Sequence, residues 1–277
     1  MNGLVLHKGK PLCIAALILG SALLISVGQA QIITLTDAGS QALVDLGSAQ
    51  GMYQWTVNGQ NQLNKQWFYY RVDGYGDTYQ HPINALGGVS YTQDQPNHLN
   101  TTFANVSFGV TIDYLLVGGG AGSGQADILE GITLHNYSAS QITFHFYQYS
   151  DFNLLNDPNG DTVDMDATYA FQQKGPTQIA EGIIAPDASF FEANITGQPT
   201  STLAKLAGTQ SLSLGDYTHA YGDVTWAFQW DMPIDANSDQ NITKDKLLDV
   251  YVIPEPSALA LLGLGMSLFL LRRRAQV

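Results

Sequence analysis

Two short acidic segments carry spacings suited to a metal ion. Asp157-Pro158-Asn159-Gly160-Asp161 and Asp235-Ala236-Asn237-Ser238-Asp239 both read D-x-N-x-D. Side-chain oxygens at alternate positions of a tight turn can converge on Ca2+, and Asp164 and Asp166 add carboxylates after the first segment. Neither is an EF-hand loop. The second has Gln240 in place of the loop glycine and Lys246 in place of the bidentate glutamate. The first has its glycine at the fourth position and Thr168 at the twelfth. Asp and Asn are also common residues of solvated β-turns, where they bond their own backbone. The sequence therefore predicts a turn at each segment, with Ca2+ on Asp157, Asn159, Asp161 and Asp164 as the metal alternative.

His135 and His145 flank Ser138-Ala139-Ser140. A hairpin centred on Ala139 would set Thr133 opposite His145 and Thr143 opposite His135. Both histidines would then share a face with Tyr137, Tyr147 and Tyr149, away from Ile132, Leu134, Phe144 and Phe146. Such a face, with His135, His145 and Tyr147 at its centre, could take a metal or a sugar stacked on tyrosine. The same pattern also describes a wet aromatic sheet face. Trp55, Trp67, Trp226 and Trp230 are further stacking candidates, but Trp226, Phe228 and Trp230 share one strand face and read as core.

Signatures of known catalysis are missing. Gly118-Gly119-Gly120-Ala121-Gly122-Ser123-Gly124 fits neither a dinucleotide fingerprint nor a phosphate loop and reads as a connection between strands. There is no G-x-S-x-G elbow and no H-E-x-x-H. The one cysteine, Cys13, lies in the N-terminal apolar segment, so residues 31–254 hold no thiol for a disulfide, a metal site or a nucleophile.

Strands must position these residues. Short aromatic and β-branched runs, among which period-two alternation recurs, predict strands at Tyr53–Val57, aromatic-rich Trp67–Val72, Val106–Val117, Ile132–Asn136, Gln141–Tyr149, Val163–Phe171, Gln178–Ile184, Phe190–Ile195, Val224–Trp230 and Lys246–Ile253. Helical periodicity is confined to Thr200–Leu206, and Gln31–Gly51 reads as a loosely packed leader. Many short strands between Gly, Asn and Asp turns predict an all-β protein, an antiparallel β-sandwich of jelly-roll type spanning residues 31–252.

Charge narrows the partners. The 277-residue chain carries −13 overall. Residues 31–254 are more acidic still, with 6 Lys and Arg against 23 Asp and Glu, because five of the basic residues lie in the termini. A surface near −17 repels nucleic acid and anionic lipid.

The termini govern transport. Lys8 and Lys10, the apolar run Leu12–Val27 and the small residues of Gly28-Gln29-Ala30 form a signal peptide, residues 1–30, cut between Ala30 and Gln31 by signal peptidase after general export. At the other end, Pro254-Glu255-Pro256 precedes an apolar run, residues 257–271, and then Arg272-Arg273-Arg274. The run is short for a spanning helix, arginine snorkelling extends its reach, and the basic tail holds its end in the cytoplasm. Pro254-Glu255-Pro256-Ser257, Leu261-Leu262-Gly263-Leu264-Gly265 and the arginines together resemble the PEP-CTERM sorting signal. The resemblance implies recognition by the membrane protease exosortase in a bacterium with an outer membrane. It further implies a transient inner-membrane anchor within residues 253–277, cleavage near the motif, and delivery to the cell surface or extracellular matrix. Interior segments such as Gln66–Val72, Gln148–Phe152, Gly222–Asp231 and Lys244-Asp245-Lys246 are similar to a group of exported PEP-CTERM proteins with no known catalytic residues.

The expected function is a non-catalytic structural or interaction role at the surface, associated with exopolysaccharide or biofilm. The alternatives are a calcium-assisted carbohydrate-binding module and a secreted glycoside-active enzyme. The last needs two facing carboxylates in a cleft, which spacing alone cannot reveal.

Overall fold

The computed structural model describes residues 31–251 apart from Ala121. The signal segment with its cleavage site after Ala30 lies outside the described residues. So does the sorting segment, with the membrane run and the basic tail. In chain order the strands are β1 (Ile32–Asp37), β2 (Ser40–Asp45), β3 (Gly51–Val57), β4 (Gln60–Asn61), β5 (Leu63–Val72) and β6 (His81–Pro82). Then come β7 (Ser90–Gln95), β8 (His98–Ala104), β9 (Phe108–Gly118), β10 (Gln125–Asn136), β11 (Ile142–Phe152) and β12 (Asp161–Met165). The last are β13 (Tyr169–Lys174), β14 (Thr177–Ala185), β15 (Phe190–Ile195), β16 (His219–Gly222), β17 (Val224–Ile234) and β18 (Ser238–Asp249), with one short helix, α1 (Thr202–Leu206).

They form two antiparallel sheets of nine strands each. The first runs β1-β2-β3-β5-β11-β17-β15, with β4 and β6 pairing at its margins; the second runs β16-β12-β13-β14-β18-β10-β9-β8-β7. The antiparallel sandwich is as the alternation predicts, with far more strands than an eight-stranded jelly roll. Its interior is aromatic. Trp55, Trp67, Trp226 and Trp230 are all buried, so none is free to stack on a sugar. Trp226 lies flat on Phe152 (5.2 Å between ring centres, 5°), Phe68 on Phe146 (5.5 Å, 17°), and Trp67 meets Phe103 edge-on (5.8 Å, 88°).

Several sequence expectations change. The segment Gln31–Gly51 is no loose leader: β1 and β2 extend the first sheet and bury Leu35, Ala42 and Val44 completely. The run Val163–Phe171 is two strands, β12 and β13, separated by a turn in which Asp166 accepts from the backbone N–H groups of Thr168 and Tyr169. Val106 is outside β9, 96% exposed at the tip of a turn.

The largest correction concerns the pair of strands carrying His135 and His145. β10 and β11 are not a hairpin. They belong to opposite sheets, β10 pairing with β9 and β18, and β11 with β5 and β17. Alternation permits both answers, because Ile132 and Leu134 can meet Phe144 and Phe146 across the core as readily as beside them. The local chemistry selects an arch. The buried Asn136 amide donates to the carbonyls of Ser140 (2.8 Å), Ile234 (3.0 Å) and Asp235 (2.9 Å), while its oxygen accepts from Ser138. β17 and β18 also lie in opposite sheets and are joined by a second arch, Asp235–Asn237, so one side chain ties both crossings together.

Candidate functional site

The two outer faces of the sandwich differ. Residues 196–218, with α1, lie across the first sheet. The Tyr147 hydroxyl donates to the Leu212 carbonyl (2.8 Å), and the Leu214 N–H donates to Gln229 Oε1 (2.9 Å). Tyr147 and Tyr149, expected on a wet face, are thereby buried. The second sheet has no such cover over β8, β9, β10 and β18; its outward side chains are polar around Gly131 and become apolar further along, at Leu115, Val117, Leu129 and Leu247.

Cross-strand register arranges these side chains in rows. Asn100, Asp113, Gly131 and Thr243 form one, and Thr102, Thr111, Thr133 and Asn241 the next. They are bonded together: Asn100 Nδ2 donates to Asp113 (3.0 Å), Thr102 and Thr111 share a hydrogen bond (2.9 Å), and Thr133 Oγ1 donates to Asn241 (2.8 Å). A His–Asp group stands on each side. His98 lies between Asp94 (2.5 Å) and Asp113 (3.1 Å), and the bond to Asp94, assisted by Asp113, raises its pKa against the opposing effect of burial. His135 bonds Asp239 (2.8 Å) and Thr111 (2.9 Å) and stacks on Tyr137 (5.5 Å, 13°). Between them is a trough of about 300 Å³ floored by Gly131 and lined by Asn100, Asp113, Thr133, Asn241 and Thr243. A Cβ at Gly131 would meet only Asp113 Cβ at 3.7 Å, so the floor is low for want of a side chain, with no backbone demand for glycine.

Of the three residues of the expected ligand face, only His135 is at this trough. His145 and Tyr147 lie beneath the cover of the other sheet. There His145 bonds Asp231 (2.7 Å) and Asp73 (3.1 Å), and these bonds raise its pKa although burial acts the other way. His98 and Asn100, missed in the sequence, are marked by His98-x-Asn100-x-Thr102 with Thr111-x-Asp113, polar positions of one parity on neighbouring strands.

The first D-x-N-x-D segment does gather oxygens around a cation, and the cation is a lysine. Lys174 Nζ donates to the carbonyls of Asp157 (2.8 Å) and Asn159 and pairs with Asp157 Oδ2 (2.9 Å) and Asp161 Oδ1 (3.3 Å). Asp164 faces elsewhere, paired with His219 across β12 and β16 (2.7 Å). Among the described residues no three His, Cys, Asp or Glu side chains are grouped to hold a metal.

Two other polar groups were not anticipated. Within the core, Lys244 and Lys246 contact Glu130 and Glu181, all four fully buried. Gln66 donates to Glu130 (2.5 Å), and Gln148 (2.7 Å) and the Trp226 indole (2.8 Å) donate to Glu181. Burial pulls both lysines below their ordinary pKa. At one end of the first sheet, a pocket of about 180 Å³ is walled by Tyr149, Asp151, Asn153, Thr196, Ser201 and Asp223. Burial, reinforced by the charge of Asp223, pushes the Asp151 carboxyl up to about 6. With these groups the basic side chains are nearly all engaged: Arg71 pairs with Asp73 and Lys205 with Glu192, leaving Lys65 without an ion pair among the described residues.

Comparison with known proteins bears on the two parts of the chain separately. Residues 252–274 match the PEP-CTERM protein-sorting motif, which makes the chain an exported, exosortase-sorted protein. Among the described residues no helix is long and apolar enough to cross a membrane. No curated protein matches in sequence. The fold is shared with solved structures. A bacterial glucoamylase complexed with acarbose superposes with a TM-score of 0.57 at 9% identity, over 81% of this chain and 34% of the glucoamylase. A candidate aldose 1-epimerase from Escherichia coli K12 gives 0.51 at 8% identity, over 80% and 99%. The Slr1438 protein of Synechocystis sp. PCC 6803 gives 0.51 at 10%, over 81% and 97%. This chain thus spans about a third of the glucoamylase, and at such identities the likeness is one of fold.

Proposed function

We propose that the exported domain is a non-catalytic carbohydrate-binding component of the extracellular matrix, and that the trough on the second sheet holds a neutral polysaccharide chain. The observation that carries this reading is the Gly131-floored row of Asn, Thr and Asp side chains on an open sheet. Sugar hydroxyls both donate and accept, and amides, hydroxyls and carboxylates held by hydrogen bonds to their cross-strand neighbours offer both roles with little ordering cost on binding. The flanking His135–Tyr137 stack and His98 bound the trough. A domain near −17 repels acidic polymers, which favours neutral ones. The sorting motif, which directs export, and the fold shared with carbohydrate-acting proteins both support the reading.

The test is co-sedimentation of the purified protein with neutral and uronic polysaccharides, comparing wild type with Gly131→Leu. Leucine at this half-buried position fills the trough, and its Cβ would meet only Asp113 Cβ, at 3.7 Å. The expected result is retention by a neutral polymer and at least a tenfold loss of affinity in Gly131→Leu, with an unchanged melting temperature. Undiminished binding by Gly131→Leu, or no retention of the wild type by any polymer, overturns the assignment.

A further inference from the structure

The pocket at the end of the first sheet has two buried oxygens among its lining residues that lack partners. Asp151 is 97% buried, with relative exposure of 3%. Its Oδ2 accepts from Asn64 (2.9 Å) and, at the long distance of 3.4 Å, from the Tyr149 hydroxyl, while its Oδ1 accepts from nothing. Asn153 Oδ1, two residues on, is likewise buried without a donor. Asp223 brings a second carboxylate, one oxygen of which accepts from Thr196 Oγ1. The hydroxyl of Ser201 completes the wall. Lys65, opposite Asp151 in the β5–β11 register, is the nearest basic residue, yet makes no ion pair with it.

A carboxylate and an amide oxygen left buried and unbonded each cost free energy, so a native protein keeps them together for a reason. The chemistry of the set identifies the ligand. Every unpartnered atom is an oxygen acceptor, the net charge of the lining is −2, and no sulfur or imidazole takes part. That is a hard-cation donor set, in which Ca2+ accepts carboxylates, amide carbonyls and waters at about 2.3–2.6 Å in flexible geometry. The two orphan oxygens are buried away from bulk water, which disfavours a sugar hydroxyl and suits a small ion.

We propose that this pocket, through Asp151, Asn153 and Asp223, binds Ca2+ and pins the segment 196–203 to the ends of β11 and β17. The proposal is independent of the polysaccharide trough on the opposite sheet. It also differs from the metal expected at Asp157, where Lys174 is bonded to the same oxygens.

Isothermal titration of chelator-treated protein with calcium chloride tests it, with thermal melts in parallel. Wild type should bind one Ca2+ with a dissociation constant of about 0.1–1 mM, the range of extracellular modules, and melt several degrees higher in 10 mM Ca2+. Asp151→Asn and Asp223→Asn should each lower affinity at least tenfold, and Asp157→Asn should leave it unchanged. Without calcium, Asp151→Asn should melt at or above the wild type, because it removes an uncompensated buried charge; this readout also shows that the variant folds. Absence of binding heat and of a melting shift in wild type overturns the proposal. So does calcium binding that survives both Asp151→Asn and Asp223→Asn.

Discussion

Lys244 and Lys246 occupy inward positions of β18 between Ile242 and Leu248, and Glu130 and Glu181 stand likewise between Ile128 and Ile132 and between Ile179 and Ile183. The pattern is visible in the chain: a charge where the period-two rhythm demands an aliphatic side chain. That the four charges meet is not visible, because β10, β14 and β18 become neighbours only through long connections. Removing one ion from a buried set leaves its partners uncompensated, at a cost of about 3–5 kcal/mol. Lys244→Met should therefore lower the urea midpoint strongly, whereas Lys244→Met combined with Glu130→Leu keeps Lys246 with Glu181 and should recover most of the loss. Equal midpoints for wild type and the single variant would show that the network contributes nothing. The same limit explains the candidate site. Polar parity in β8 and β9 marks His98, Asn100 and Asp113, but the neighbour that turns His135 toward them is set by sheet order.

At the scale of elements, sequence rhythm specified strands well and their partners poorly. Ile132–Asn136 and Gln141–Tyr149 are strands as expected, and Thr200–Leu206 contains α1. Four residues between two alternating runs suggest a hairpin, and the decisive fact, the reach of one amide to a carbonyl pair about a hundred residues away, is invisible to any local rule. Asn136→Ala would strip three carbonyls of their donor at both crossings and should destabilise the domain by about 2–3 kcal/mol, read by chemical denaturation. A change below 0.5 kcal/mol would mean that the arches hold without it. The turn before β3 depends on glycine for a different reason. Gly51 has φ +64°, and a Cβ there would fall 2.2 Å from the Trp67 ring.

For the whole molecule, the sequence reads travel more clearly than destination. The PEP-CTERM motif is contiguous, so nothing about folding is needed to see it, whereas the trough and the oxygen-lined pocket exist only once distant strands align. Replacing Pro254-Glu255-Pro256 by alanines should leave a longer product retained in the membrane fraction, detected by immunoblot and intact mass. Normal processing of that variant would show that exosortase reads something else. The placement of the basic residues has a further consequence. All six of residues 31–251 lie within regular elements: Lys65 and Arg71 in β5, Lys174 at the end of β13, Lys205 in α1, and Lys244 and Lys246 in β18. A protease that cuts after lysine or arginine needs one of them in a slack stretch of chain, and the folded domain supplies none. Its lifetime among such enzymes is then set by how often the sandwich opens as a whole, which makes the rigidity of its centre a form of armour.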